Sequence, residues 1–112
     1  LVASLRRVAA LGLPWLFTDS HANNPMVNYF HDLGDLGRLD WRILQARDFK
    51  RDTDDPAKFS RYQAEALIHS HFPVQGLSGI VCFDEHGKIE GQQAVDAVGL
   101  ALKVLKQPSW YF

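Results

Sequence analysis

The spacing of hydrophobic positions changes several times along the chain, and the changes mark short elements of both kinds. Leu1, Val2, Leu5, Val8 and Ala9 recur at helical spacing with Arg6 and Arg7 opposite, which predicts an amphipathic helix over 1–11. Gly12 suits its end, because glycine takes the left-handed conformation without steric cost. Pro14-Trp15-Leu16-Phe17-Thr18 is short, aromatic and apolar, and reads as a buried strand. Asp19 to Pro25 turns the chain. Asn24 before Pro25 has the form of a cap followed by proline at the first helical position, so a helix is expected over 25–31.

Leu33-Gly34-Asp35-Leu36-Gly37 is rich in breakers and reads as a loop. Asp40 caps a short helix over 41–47, a charged stretch covers 49–55, and Asp55-Pro56 opens another helix. From Ala57 to His69 the two signals diverge. Good helix formers run throughout, yet 66–69 is also a short apolar run of the kind a buried strand presents, and periodicity does not decide between them. Pro73 stops what precedes it. A β-branched strand follows over 79–83, then a turn at Asp84-Glu85-His86-Gly87. An amphipathic helix is expected over 94–106 with Val95, Val98, Leu102 and Leu105 on one stripe. Trp110-Tyr111-Phe112 suits a final edge strand.

Composition narrows the class without naming a chemistry. The 112 residues suffice for one domain, and 46% hydrophobic with 22% charged is the balance of a globular protein. A net charge of −1 gives no global basic field, so any nucleic-acid contact must rest on a local patch. Cys82 is the only cysteine, which excludes an intrachain disulfide. No apolar run approaches the ~20 residues of a membrane span, and the cytoplasm is the expected compartment. The chain starts at Leu1 and its only methionine is Met26, so it is expected to be a fragment of a longer protein.

Five features carry candidate chemistry. Gln63-Ala64-Glu65 sets an amide two residues before a carboxylate, directly ahead of the apolar run and just after Lys58 and Arg61. Alone, such a triplet is a weak signal whose usual explanation is a solvated helix face. Arg42, Arg47, Lys50 and Arg51 lie beside Trp41 and Phe49, and cations interleaved with aromatics can hold single-stranded nucleic acid. The same pattern fits a solvated face neutralised by Asp48, Asp52, Asp54 and Asp55. His21 follows a strand in a turn, where functional groups often sit. His69 and His71 would share a face of a strand, and a third ligand from His86 or Asp84 would make a small metal-binding module, although half-buried histidines are commoner. Cys82, between Val81 and Phe83, suits core packing better than nucleophilic work.

Taken as an ordered set, these pieces resemble the DarT toxins, NAD-dependent ADP-ribosyltransferases that act on thymine bases of single-stranded DNA. The resemblance runs through Gly12-Leu13-Pro14-Trp15-Leu16-Phe17-Thr18-Asp19 and His21-Ala22 to Leu36, Leu39-Asp40-Trp41 and Ala46-Arg47. It continues in Asp52-Thr53, Asp55-Pro56, Gln63-Ala64-Glu65, Leu67-Ile68-His69, Phe72-Pro73 and the closing aromatics. Phe49, Phe59, Ser60 and Ala66 depart from the family pattern.

The resemblance implies an α+β fold, the C-terminal portion of an ADP-ribosyltransferase-like mixed sheet with flanking helices. The range 1–112 would be one such domain lacking its N-terminal half, where the residues that hold NAD are expected. It implies Glu65 as the catalytic carboxylate at the start of a core strand, so that the helix from Pro56 ends near Tyr62 and 64–69 is strand. Gln63 would orient the acceptor. His21 and Arg47 would hold the DNA, with Lys50 and Arg51 added from charge alone. NAD is the implied substrate and no metal is required. Single-stranded DNA and a macrodomain-type antitoxin are the implied partners. The alternative is a non-catalytic remnant of the same fold that binds single-stranded DNA or an antitoxin-like protein.

Overall fold

The computed structural model describes residues 1–111; Phe112, with its part of the expected closing strand, lies outside the described residues. The chain forms two compact units, one of Gly12–His71 and the other of Leu1–Leu11 with Phe72–Phe112.

The first unit is built on an antiparallel sheet in the order β2-β1-β3, from β1 (Trp15–Thr18), β2 (Tyr29–Phe30) and β3 (Ala66–Ile68). Phe17 sits opposite Phe30 on one side and Ala66 on the other, and Trp15 sits opposite Ile68. Phe17 is 2% exposed and stacks between Trp15 and Phe30, which makes this aromatic row the core that aligns the strands. Pairing runs past the ends of β3, because Thr18 N–H donates to Glu65 O and His69 N–H to Pro14 O. The strand expected over 64–69 is therefore present in its centre, over Ala66–Ile68, while Ala64 N–H still bonds Arg61 O in the preceding turn; a helix continuing through Glu65 is not formed. The preceding helix, α3 (Lys58–Arg61), is a single turn that ends at Tyr62.

No helix forms over 25–31. Asn24 Oδ1 accepts from Met26 N–H and Val27 N–H bonds Asn24 O, a local turn that competes with helix. Asn28 is then clasped by both carboxylate oxygens of Asp19, which delivers Tyr29 and Phe30 to the edge of β1. The expected loop at 33–37 is a 3-10 helix (Leu33–Arg38) capped by Asp32. α2 (Trp41–Ala46) carries the predicted Asp40 cap and stops one residue early, because Arg47 turns left-handed at φ 53°.

In the second unit, α1 is confined to Leu5–Ala10 behind a Ser4 cap, while Val2 bridges Gly79. β4 (Gly79–Cys82) pairs in parallel with β5 (Lys103–Lys106), and α4 (Glu85–Ala97) makes the crossover between them. This replaces the expected turn at 84–87 and helix over 94–106. Asp84 is a helix cap rather than a turn residue, accepting from Gly87 N–H. Gly91 lets α4 lie close to the sheet: a Cβ there would stand 3.2 Å from Val104 Cγ1. Gly99, at φ +65°, turns the chain into the approach to β5. Pro108–Trp110 is a 3-10 turn, not an edge strand.

Candidate active site

Glu65 leaves the turn after α3 and enters β3, and its backbone is fixed to β1 by Thr18. Glu65 N–H donates to Thr18 Oγ1 at 3.0 Å, Thr18 N–H donates to Glu65 O at 2.9 Å, and the Thr18 hydroxyl donates to the same carbonyl at 3.4 Å. Thr18 is 0% exposed, so these bonds meet little competition from water. The half-buried carboxylate turns toward the loop after β1. Oε2 accepts from Ala22 N–H at 3.1 Å, whereas Oε1 receives no hydrogen bond from the described residues.

The loop that holds Oε2 is itself braced. Ser60 O accepts from both His21 N–H (3.2 Å) and Gln63 N–H (3.0 Å), which draws the turn before Glu65 against the 20–24 loop. Asn24 Nδ2 donates to Ser60 Oγ at 2.8 Å and reaches the buried Ser20 hydroxyl at 3.4 Å. Tyr29 O–H donates to Ala22 O at 3.0 Å. The backbones of His21 and Gln63 thus share one serine carbonyl, and Glu65 reaches the same loop at Ala22. His21 Nδ1 accepts from Asn23 N–H, leaving Nε2 as the donor of the neutral ring. The Gln63 amide makes no hydrogen bond within the described residues and stays free to orient another group. Sequence reasoning missed Thr18, Ala22, Asn24 and Ser60. Backbone N–H groups carry no residue-type signal, and Ser60 stood out only as a departure from the family pattern.

Arg47, Lys50 and Arg51 lie on the segment between α2 and α3, and this segment is zipped onto α3. Asp48 pairs with Lys58 Nζ at 2.8 Å, the Phe49 ring lies 4.7 Å from that of Tyr62, and Asp55 clasps Arg61, which also reaches Asp40 at 3.3 Å. The Asp48 carboxyl is held below its ordinary range chiefly by the Lys58 hydrogen bond, and Asp55 chiefly by that of Arg61. Lys58 and Arg61 are raised by the same contacts. Asp48 and Asp55 are therefore engaged by α3, and Asp52 Oδ1 accepts from Asp54 N–H. No carboxylate of the described residues pairs with Arg42, Lys50 or Arg51. Asp52 and Asp54 likewise make no ion pair among the described residues, so exposed cations and exposed carboxylates lie side by side on this segment.

The histidine pair does not share a strand face. β3 ends at Ile68, Ser70 takes φ 65°, and His69 Nδ1 lies 3.0 Å from Ser70 Oγ. No group of three or more His, Cys, Asp or Glu side chains among the described residues could hold a metal ion. Cys82 is half-buried with its thiol on Gly87 O at 3.3 Å. A mainly apolar cavity of about 430 Å³ lies along β3, lined by Trp15, Leu16, Leu67 and Ile68 with His31 and His69 at its rim.

The fold is α+β, of the ADP-ribosyltransferase kind found in solved DarT structures. Thermus sp. 2.9 DarT in complex with carba-NAD+ superposes with a TM-score of 0.90 at 25% identity, covering 100% of this chain and 57% of that one. The same protein in complex with ADP-ribosylated ssDNA gives 0.91 at 25% identity, covering 100% and 53%. A DNA ADP-ribosyl transferase of Escherichia coli O127:H6 is 50% identical over 112 residues, which is 100% of this chain and 51% of the relative. The Thermus sp. 2.9 enzyme is 32% identical over 107 residues, 96% of this chain and 45% of the relative. The family model described as ssDNA thymidine ADP-ribosyltransferase, DarT, matches residues 1–112, and the chain belongs to that family. It spans about half the length of the curated relatives it matches. Among the described residues no helix is long and apolar enough to cross a membrane.

Proposed function

We propose that the chain supplies the catalytic carboxylate and the acceptor-binding loop of a NAD-dependent ADP-ribosyltransferase that modifies thymine bases of single-stranded DNA. The observation that carries this reading is the Glu65 carboxylate, with one oxygen fastened to Ala22 N–H and the other receiving no hydrogen bond from the described residues. Cleavage of the nicotinamide–ribose bond sends the bonding electron pair to nicotinamide and leaves an oxocarbenium-like sugar, as glycoside cleavage does. The open oxygen of Glu65 accepts from the ribose 2′-hydroxyl and opposes positive charge that exists only in the transition state. It is placed as well to take the proton that the thymine ring nitrogen gives up on attacking C1′.

Gln63 orients the acceptor, and His21 Nε2 donates to the DNA from the loop that holds Glu65. Arg47, Lys50 and Arg51 neutralise its phosphates. A base that must leave the stack to react costs least in a single strand. The activity belongs in the cytoplasm, where NAD and exposed single strands meet, and its toxicity calls for a macrodomain-type antitoxin as partner.

The test joins the chain to the part of the Escherichia coli relative outside the match and follows labelled ADP-ribose from NAD onto a thymidine oligonucleotide. Transfer by the joined protein, lost in Glu65→Ala, is expected. Transfer that survives the substitution would refute the assignment, and binding without any transfer would favour an interaction module.

A further inference from the structure

We infer that Phe59 and Arg51 form a stacking subsite for an unpaired nucleobase next to the one modified; the inference rests on the reading of single-stranded DNA as acceptor. Phe59 is on α3, 47% exposed, with the Arg51 guanidinium 6.0 Å from the centre of its ring. An exposed ring carrying a cation on its face is half of the arrangement that clamps a flat aromatic ligand, since every base has a π-face to offer. The two side chains line a cavity of about 400 Å³ with Asp52, Thr53 and Pro56, a size usual for small-ligand sites.

The chemistry of the lining selects a base over a phosphate. Its surface is mostly apolar, and the one carboxylate, Asp52, repels an anion entering the cavity while its Oδ2 remains an acceptor for an exocyclic amine. Phosphates are served instead by Arg42 and Lys50, which no carboxylate of the described residues pairs. The segment that carries Arg51 is tied to α3 by the Asp48–Lys58 and Asp55–Arg61 pairs.

The test measures binding of the 112-residue chain to a fluorescein-labelled oligothymidylate by anisotropy at several salt concentrations. Phe59→Ala should weaken binding about 5- to 100-fold, the range of one base–aromatic stack, with the salt slope unchanged. Phe59→Leu should do the same, because it keeps the apolar bulk and loses the π-face, and Phe59→Trp should restore affinity. Arg51→Gln should lower the salt slope by about one. Abasic substitution at one position of the oligonucleotide should weaken the unaltered chain and leave Phe59→Ala indifferent. Binding of Phe59→Leu within twofold of the unaltered chain would overturn the subsite alone. Failure of the unaltered chain to bind any oligonucleotide would overturn both the subsite and the acceptor reading.

Discussion

Thr18→Val is the sharpest perturbation of the way Glu65 is held. Valine matches threonine in shape, so the exchange opens no cavity and removes only the hydroxyl. That hydroxyl accepts the 3.0 Å bond from Glu65 N–H at a position with no exposure to water. Without it the Glu65 N–H is left unpaired beside the sheet, a loss of about 1–3 kcal/mol, while the second bond at 3.4 Å is too long to add much. We expect about 2 kcal/mol, or a urea midpoint lowered by roughly 1 M with an unchanged slope. Thr18→Ser keeps the hydroxyl and should recover most of the loss. The Ala22 amide gives a second readout by NMR. In the unaltered chain and in Thr18→Ser its resonance should move on Glu65→Ala, which removes the acceptor of its N–H, and in Thr18→Val that response should weaken. A Thr18→Val variant within 0.5 kcal/mol of the unaltered chain, or a Thr18→Ser variant equally destabilised, would refute the reasoning.

Acid should loosen the clasp between the 48–55 segment and α3. Asp48 and Asp55 are held below the ordinary aspartate value of 3.8, so their contribution is complete above that value and disappears as pH falls through their folded ones. Chemical melts should therefore show constant stability down to about pH 5 and a decline below about pH 4, which an Asp48→Asn, Asp55→Asn double variant flattens. Gly79→Ala should destabilise the parallel pair of β4 and β5 by about 1–3 kcal/mol in a thermal melt, since its Cβ would lie 2.8 Å from the Lys103 carbonyl, a backbone atom with little room to retreat.

Sequence reading succeeded where one local signal decided the outcome. The aromatic run of β1, the Asp40 cap and the left-handed Gly12 all stand where the pattern put them. Glu65 needed more, because a propensity for helix runs straight through it. What ends the helix is the pairing of Glu65 with Thr18, 47 residues away. The same limit explains the error at 25–31, where Asp19 captures Asn28 from nine residues upstream. In the second unit Gly87 was read into a turn but lies in the first turn of α4, and Gly91 is a close-approach position, legible only once the sheet beneath it is known. The candidate site was legible in its side chains and not in its frame, since the N–H of Ala22 and the carbonyl of Ser60 have no counterpart in residue type.

The central claim is that the open oxygen of Glu65 acts on the transition state. Its most direct test is the single-turnover rate of ADP-ribose transfer in the joined protein with Glu65→Gln, a substitution that retains an oxygen for Ala22 N–H. The rate should fall about 100-fold or more while the dissociation constants for NAD and oligonucleotide stay within about twofold. An unchanged rate, or a loss found wholly in the dissociation constants, would contradict it.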